Sequence, residues 1–431
     1  MKYSDFCKLY YEIYYPIEEF KKNCLPLCAA ENEQSEFSKI PLCSFIQDKY
    51  IMGGIENYLE DNNFIGSNEL FKVYELLQKL CIELFHVTYA DGRPLTGVNT
   101  INLLLMSLFK EGDTIFISDE EYGGHSSMKK ICKRLGIKTI PMPYDYNKLD
   151  FDYDKINSIL NTIKVNGILI CLSDMIFQPK LNKINLKEDI ALIYDATQVL
   201  GLIASGIIEN YFNFFKNQQF IIAGSTHKTI PGPTNGLILT NSKKIIQKID
   251  LKINPDYLRN VQLHQILSLI FTLEEFSVFG KDYMHFTVKT ANLLGSELEK
   301  KGFKVIKKGT QYTETHQLFI SMEKEILKKF VKKCKLYGVT LNERHKQIYG
   351  GSGIRLGVQL IARYKWQKQD IELIADILFR ILKESIESNE VYRLSILNDI
   401  KHLSKKKEIC FTFNNEDTQK LNNLLVTLKC E

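Results

Sequence analysis

The chain has 431 residues, of which 45% are hydrophobic and 25% are charged, as is typical of a globular protein with a large core. Its net charge of +5 is mild, and the lysines are mixed with acidic residues rather than gathered in a basic stripe, which argues against nucleic acid as a partner. The longest apolar stretches, such as 101–109, are too short to span a bilayer, and the N-terminus lacks the core of a signal peptide.

The ten cysteines are scattered along the chain, and only Cys24 and Cys28 lie close together. No CxxC pair or histidine partner completes the pattern of a metal site. We therefore expect reduced thiols in a cytoplasmic protein and no bound metal.

Four regions are expected in the chain. A helical arm is predicted over residues 1–25, because apolar residues recur at helical spacing through Tyr10, Ile13 and Phe20. We expect a large domain over 26–260, then bridging helices and a small domain over 261–387. The last region, 388–431, shows no motif.

A helix is predicted from Asn68 to Phe85, and a second one follows Thr96, Gly97 and Val98 and runs to Phe109. The unpaired amides and the dipole at the start of this second helix favour a phosphate group. The alternative is that Thr96 simply caps the helix.

Tyr122 lies shortly after the C-terminal end of the predicted strand 114–117. Open α/β sheets bind ligands at this edge. An aromatic ring there can stack on a planar ligand, the alternative being a half-buried loop tyrosine. Helices and strands then alternate as far as 167–172, which predicts a parallel sheet covered on both faces. Ser173 directly follows this last strand.

Asp195 directly follows a buried apolar strand that begins at Ala191, and Gln198 lies three residues further on. A buried carboxylate is costly unless it meets a partner, so we expect Asp195 to have one. A ligand with a protonated ring nitrogen is such a partner.

Lys228 lies in a bend rich in glycine and proline between the apolar runs 219–224 and 236–239, beside Thr226 and His227. Partial desolvation and neighbouring cations lower the pKa of a lysine in such a place and make its amine a nucleophile toward a carbonyl. A solvated loop lysine is the alternative.

Further along the chain, Gly351-Ser-Gly-Ile-Arg355-Leu-Gly357 places an arginine among apolar neighbours. A guanidinium offers a rigid fork that matches a carboxylate. The apolar surroundings favour an interior position for Arg355 over a surface ion pair.

Together these segments resemble the serine hydroxymethyltransferase family. The lysine segment 225–236, the segment 111–125 and the arginine segment 351–357 match family motifs, in the family's order, and the likeness runs from Leu27 to Leu382. The resemblance implies the α/β fold type I of pyridoxal-phosphate (PLP) enzymes, which is similar to aspartate aminotransferase. This fold has a large domain with a mostly parallel sheet and a smaller C-terminal α/β domain.

The resemblance also implies pyridoxal 5'-phosphate as cofactor and an amino acid as substrate. Lys228 would hold the cofactor as a Schiff base, with Asp195 at the pyridine nitrogen, and Arg355 would bind the substrate carboxylate. The remaining expected site residues are Thr96, Gly97, Val98, Tyr122, Ser173, Gln198, Thr226 and His227 for the cofactor and Tyr50 for the substrate. A homodimer is implied as well, with the segment around Tyr50 crossing between subunits.

Several positions depart from the family pattern. Met52 stands where the family has a glutamate that moves a proton, Ala30 where it has a serine, and Ile65 where it has a tyrosine. Methionine can neither donate nor accept a proton in this role. We therefore expect aldol-type or related Cα chemistry on an amino acid without dependence on folate.

Two alternatives remain. An aminotransferase or a carbon–sulfur lyase similar to cysteine desulfurases is suggested by Gln198 and Tyr122. A non-catalytic protein is disfavoured because Lys228, Asp195 and Arg355 are all present.

Overall fold

A computed structural model describes residues 3–51 and 68–427, so Met52 and Ile65 lie outside the described residues. The helices are α1 Tyr3–Asn23, α2 Glu36–Lys39, α3 Lys72–Phe85, α4 Gly97–Leu108, α5 Met128–Arg134, α6 Tyr153–Thr162, α7 Leu200–Ala204, α8 Lys243–Lys252, α9 Leu263–Lys300, α10 Lys324–Leu336, α11 Gln359–Arg363, α12 Lys368–Glu387, α13 Arg393–Ser404 and α14 Asn415–Thr427. The strands are β1 Leu25–Pro26, β2 Tyr89–Asp91, β3 Thr114–Ile117, β4 Lys138–Pro141, β5 Tyr144–Asp145, β6 Asp150–Phe151, β7 Gly167–Cys171, β8 Ala191–Asp195, β9 Gln219–Ser225, β10 Gly236–Thr240, β11 Lys304–Val305, β12 Gln317–Ser321, β13 Val339–Thr340, β14 Asn342–Arg344 and β15 Gly353–Gly357. In these two described ranges, no helix is both long and apolar enough to cross a membrane.

The chain forms two compact units. The large unit comprises Ala30–Phe286 and Phe411–Glu431, and the small unit comprises Met1–Ala29 and Thr287–Cys410. Each unit is therefore built from two separate stretches of sequence. The N-terminal helix belongs to the small unit, whereas the described residues from Phe411 onward belong to the large unit.

The large unit is organised around a seven-stranded sheet with the order β2-β10-β9-β8-β7-β3-β4. Strands β4, β3, β7, β8 and β9 are parallel, whereas β10 runs antiparallel to both of its neighbours. All five residues of β7, β8 and β10 are buried, which fits short apolar strands that are covered on both faces. Parallel pairing aligns the carboxyl ends of β7 and β8, with Cys171 opposite Asp195.

The small unit has a four-stranded sheet with the order β11-β12-β15-β14, and a separate parallel pair of β1 and β13. Its core is made by apolar residues of this sheet and of the helices α9, α10 and α12. Helix α13, which belongs to the region without a sequence motif, adds Ile396, Ile400 and Leu403 to the same core. Residues 393–404 are therefore part of this folded unit.

A buried ion triad fixes the segment that leads into α4. The Arg93 Nη2 atom lies 2.7 Å from Asp91 Oδ2 and 2.6 Å from Asp250 Oδ1, and Arg93 Nε donates to Asp91 Oδ1 at 3.0 Å. All three side chains are almost fully enclosed. The triad therefore ties the end of β2 to α8, just before the chain reaches Thr96.

We predict that Arg93→Ala destabilises the protein strongly. The change leaves two carboxylates buried without their cation, which typically costs about 3–5 kcal/mol. Urea unfolding of the variant should show a corresponding loss. Lys155→Ala, which removes an exposed ion pair with Asp152, is the control and should cost less than about 1 kcal/mol. A loss from Arg93→Ala as small as that of the control would show that the triad is not structurally important.

Candidate functional site

The loop that carries Lys228 joins β9 to β10 and is closed by Thr226. The Thr226 backbone N–H donates to the Asn235 carbonyl at 3.2 Å, and its hydroxyl donates to the Pro233 carbonyl at 2.7 Å. The Thr226 carbonyl accepts from the Gly232 N–H at 2.9 Å. A Cβ atom on Gly232 would lie 2.8 Å from that carbonyl oxygen, so this closure requires glycine. Thr226 is fully buried and stabilises the loop around Lys228.

The side chains next to Lys228 are held by specific partners. The His227 Nδ1 atom lies 2.6 Å from the Ser225 hydroxyl. Burial, together with the positive charge of Lys228, lowers the pKa of His227 from 6.5 to about 4. The imidazole is therefore neutral at neutral pH and adds no second cation beside Lys228. The Lys228 carbonyl accepts a hydrogen bond from the side-chain amide of Asn32.

Asp195 lies at the carboxyl end of β8 with 8% of its surface exposed. Its Oδ1 atom accepts from the Thr197 backbone N–H at 2.9 Å, and its Oδ2 atom accepts from the Cys171 thiol at 2.9 Å. These bonds fix the orientation of the carboxylate. Each oxygen has further lone pairs, so either can accept another proton donor.

Helix α4 begins at the same edge of the sheet. The Thr96 hydroxyl accepts from the Asn99 backbone N–H at 3.3 Å, so Thr96 does cap the helix. The first-turn amides have no partner within the helix, and they lie at the positive end of its dipole. A Cβ atom on Gly97 would lie 3.1 Å from the Cβ of Ser225, so this glycine allows α4 to start close to the end of β9. Thr96 can therefore cap α4 while the amides at the start of the helix bind an anion.

These groups surround one cavity of about 320 Å³ within the large unit. Its lining consists of Ala30, Thr96, Gly97, Val98, His125, Met128, Cys171, Leu172, Ser173, Asp195, Thr197, Gln198, Ser225, His227, Lys228 and Thr234. A lysine amine, a buried carboxylate and the start of a helix therefore face the same space. They match the three reactive parts of PLP, namely its aldehyde, its basic ring nitrogen and its phosphate. The donor set thus fits this cofactor.

Tyr122, expected at the cofactor, packs among other aromatic residues of the large unit. Its ring stacks on Tyr144 with 4.5 Å between the centroids and 4° between the planes, and its hydroxyl donates to the Met142 carbonyl at 2.9 Å. Burial raises the pKa of this phenol. Tyr122 does not line the cavity, whereas His125 does. A left-handed turn at Gly123 (φ 112°) separates the two side chains.

The other predicted residues are placed as follows. Ser173 and Gln198 line the cavity, and the Ser173 hydroxyl donates to the Gly123 carbonyl at 3.2 Å. Tyr50 is 41% exposed and is not among the described residues that line the cavity. Arg355 lies on β15 of the small unit and is 3% exposed. Its Nε and Nη2 atoms donate to Asn342 Oδ1 at 3.2 and 2.8 Å.

Sequence reasoning missed several residues that line the cavity, including His125, Cys171, Thr197 and Ser225. Cys171 and Ser225 end strands, and Thr197 follows Asp195 by two positions. The rule that ligands bind at the carboxyl ends of parallel strands provided a signal for all three.

Comparison with known proteins identifies the family. The family model described as serine hydroxymethyltransferase matches residues 11–378. The chain belongs to the serine hydroxymethyltransferase family. It is 29% identical over 415 residues to the serine hydroxymethyltransferase of Picrophilus torridus, an alignment that covers 91% of this chain and 92% of that protein. It is also 29% identical over 399 residues to the enzyme of Thermoplasma volcanium, with coverage of 89% and 91%.

The fold matches a solved structure, the crystal structure of L-threonine transaldolase from Pseudomonas fluorescens in the internal aldimine state. The TM-score is 0.88 at 20% sequence identity, and the match covers 97% of this chain and 98% of that chain. The predicted fold type I is therefore confirmed. Family membership likewise confirms a PLP-dependent enzyme similar to serine hydroxymethyltransferase.

Proposed function

We propose that this member of the serine hydroxymethyltransferase family makes or breaks a bond at the Cα atom of an amino acid, with PLP attached to Lys228 and without tetrahydrofolate. The observation that carries the proposal is that Lys228, Asp195 and the start of α4 line the same cavity. When bound, PLP supplies an electron sink for the bond that is cleaved.

Each part of the cavity has a separate task. The Lys228 amine is the group that binds the cofactor covalently, and the neutral His227 beside it leaves the lysine as the local cation. Asp195, oriented by Thr197 and Cys171, would accept a hydrogen bond from the ring nitrogen of PLP and so keep that nitrogen protonated. The start of α4 binds the phosphate through its amides.

We predict that borohydride fixes PLP on the peptide that contains Lys228. The purified protein should be yellow, and Lys228→Ala should be neither yellow nor labelled, because the variant has no amine at this position. Lys216→Ala, which changes an exposed lysine of the same unit, is the matched control and should behave as the wild type. Absorbance and peptide mass spectrometry give the result. Labelling of a different lysine would contradict the assignment.

A titration of the protein with PLP tests whether His125 or Tyr122 stacks on the cofactor. An offset aromatic stack contributes about 0.5–1.5 kcal/mol, so His125→Ala should weaken PLP binding by about two- to tenfold. Tyr122→Leu removes the aromatic ring while keeping apolar volume, and it should leave the affinity unchanged because Tyr122 does not line the cavity. The opposite pattern would restore Tyr122 as the stacking residue.

Arg355 is proposed to bind the α-carboxylate of the substrate. It is almost fully buried on β15, and Asn342 Oδ1 holds one edge of its guanidinium group. A guanidinium group held in this way has a fixed orientation, which suits the planar geometry of a carboxylate.

We predict catalysis that does not depend on folate. General acid–base help typically contributes about 10²- to 10⁴-fold, and Met52 has no proton to give where the family has a glutamate. A panel of amino acids with and without tetrahydrofolate, and with aldehyde and keto-acid acceptors, should yield products of Cα chemistry equally in both conditions. Product mass and cofactor absorbance report the outcome.

Arg355→Ala should lose about 2–5 kcal/mol of amino-acid binding in the same panel while still binding PLP. Glycine formed from serine only when folate is added would contradict the proposal. Pyruvate and sulfide from cysteine, or amino transfer to a keto acid, would instead support a carbon–sulfur lyase or an aminotransferase.

A homodimer is also proposed. Helix α1 has no buried residue, and its large apolar side chains are 42–83% exposed, namely Tyr3, Phe6, Leu9, Tyr10, Tyr11, Ile13, Tyr14, Tyr15, Ile17 and Phe20. Such an apolar surface favours association. The exposed Tyr50 fits the expectation that its segment crosses to a second copy.

We predict that sedimentation shows a species of twice 50.0 kDa. Replacing Tyr10 and Tyr14 together by glutamate places charges on the apolar face and should weaken the dimer. The matched change of Glu12 and Glu18 to glutamine should not. A wild-type monomer that retains cofactor and turnover would rule out the dimer.

A cytoplasmic location is the last part of the proposal. All nine cysteines in the described ranges are free thiols, which is the usual state in a reducing compartment. Recovery of the native protein from the secreted or membrane fraction of its cells would contradict it.

A further inference from the structure

The end of the chain is anchored to the large unit by aromatic contacts, beyond the region that the family model matches. The Phe413 ring centroid lies 4.8 Å from that of Phe37 and 5.5 Å from that of Phe279. The Thr412 hydroxyl donates to the buried carboxylate of Glu275. Phe411 has a φ of 57°, a left-handed conformation that is rare for a bulky side chain and is maintained here by tertiary contacts.

Phe411 contacts Tyr283 of α9, and the Asn32 side chain connects Tyr283 to the backbone of Lys228. The ring centroids of Phe411 and Tyr283 are 5.5 Å apart, and Tyr283 is 1% exposed. The Tyr283 hydroxyl accepts from Asn32 Nδ2 at 2.9 Å. The same Nδ2 atom donates to the Lys228 carbonyl. A continuous set of contacts therefore runs from residue 411 to the backbone of the proposed catalytic lysine.

The orientation of the Asn32 amide is fully determined. Its Oδ1 atom accepts from the Glu33 backbone N–H at 2.8 Å, and its two amide hydrogens serve the Tyr283 hydroxyl and the Lys228 carbonyl. A flipped amide would place two oxygens against each other at Lys228. Asn32 is not among the residues that line the cavity, so it acts on Lys228 through the main chain.

We propose that Asn32, Tyr283 and the C-terminal segment 411–413 are positioning residues that set the direction in which the Lys228 side chain enters the cavity. This inference rests on the proposed attachment of PLP to Lys228. Holding the Lys228 carbonyl fixes the peptide plane, and with it the path along which the amine approaches the cofactor. Reacting groups lose efficiency when such supporting contacts are missing.

The test compares the wild-type holoenzyme with four altered chains and one control variant. Tyr283→Phe removes only the hydroxyl, and Asn32→Asp removes both donors while keeping the shape. A chain ending at Cys410 removes the whole segment, and a chain ending at Asn414 keeps 411–413 and removes α14. Tyr211→Phe is the matched control, because Tyr211 is equally buried and its hydroxyl donates to the Pro179 carbonyl at 2.7 Å, away from Lys228.

We expect each of three changes to raise the dissociation constant of PLP by about two- to tenfold, which is the size of effect that one hydrogen bond typically has. These changes are Tyr283→Phe, Asn32→Asp and the chain ending at Cys410. They should also shift the pH midpoint of the visible absorption band of the bound cofactor. Tyr211→Phe and the chain ending at Asn414 should change neither quantity. Loss of stability alone would not shift the midpoint, so this readout separates positioning from folding.

The effects should not add. Tyr283→Phe in the chain ending at Cys410 should have the same PLP affinity as the truncated chain alone, because both changes interrupt the same set of contacts. If the truncated chain does not fold, Phe411→Leu replaces it, since leucine removes the ring contact with Tyr283 and keeps apolar volume.

Unchanged affinity and unchanged pH midpoint in Tyr283→Phe and Asn32→Asp would overturn the inference while leaving the proposed function intact. Borohydride labelling of the wild type distinguishes the two cases. A wild type that is not labelled on Lys228 would overturn both the inference and the proposed attachment of PLP.

Discussion

The parallel pairing of β7, β8 and β9 is the constraint on which the site depends. Backbone hydrogen bonds place Cys171 opposite Asp195, and Asp195 opposite Ala223, so three strands end at one edge of the sheet. Each chain segment that leaves this edge then contributes a polar group to the same cavity. A shift in register of one residue would turn Asp195 to the other face of the sheet and remove it from the cavity.

Much of the large unit could be predicted from sequence because its strands are short apolar runs with clear ends. The range 114–117 is reproduced residue for residue, whereas the strand that begins at Ala191 extends one residue further than expected and includes Asp195. Buried strands leave a strong signal because every side chain along them must be apolar. The residue that follows such a strand is then a natural candidate for the site, as Asp195 illustrates.

The orientation of side chains could not be predicted in the same way. Tyr122 and His125 are three residues apart, and sequence spacing alone does not show which one faces the cavity after the turn at Gly123. Bridging helices were expected after residue 260, and the structure has one 38-residue helix there, α9. Contacts at long sequence separation, such as Arg93 with Asp250 or Phe411 with Tyr283, leave no periodic pattern to detect.

The division of each unit into two stretches of sequence has a consequence for synthesis. The ribosome releases the N-terminal stretch of the small unit first, yet the rest of that unit, Thr287–Cys410, emerges only after all of Ala30–Phe286. The large unit in turn lacks its final aromatic contacts until Phe411–Phe413 have been made. Neither unit can therefore complete its packing during translation until residues near 410 have been synthesised.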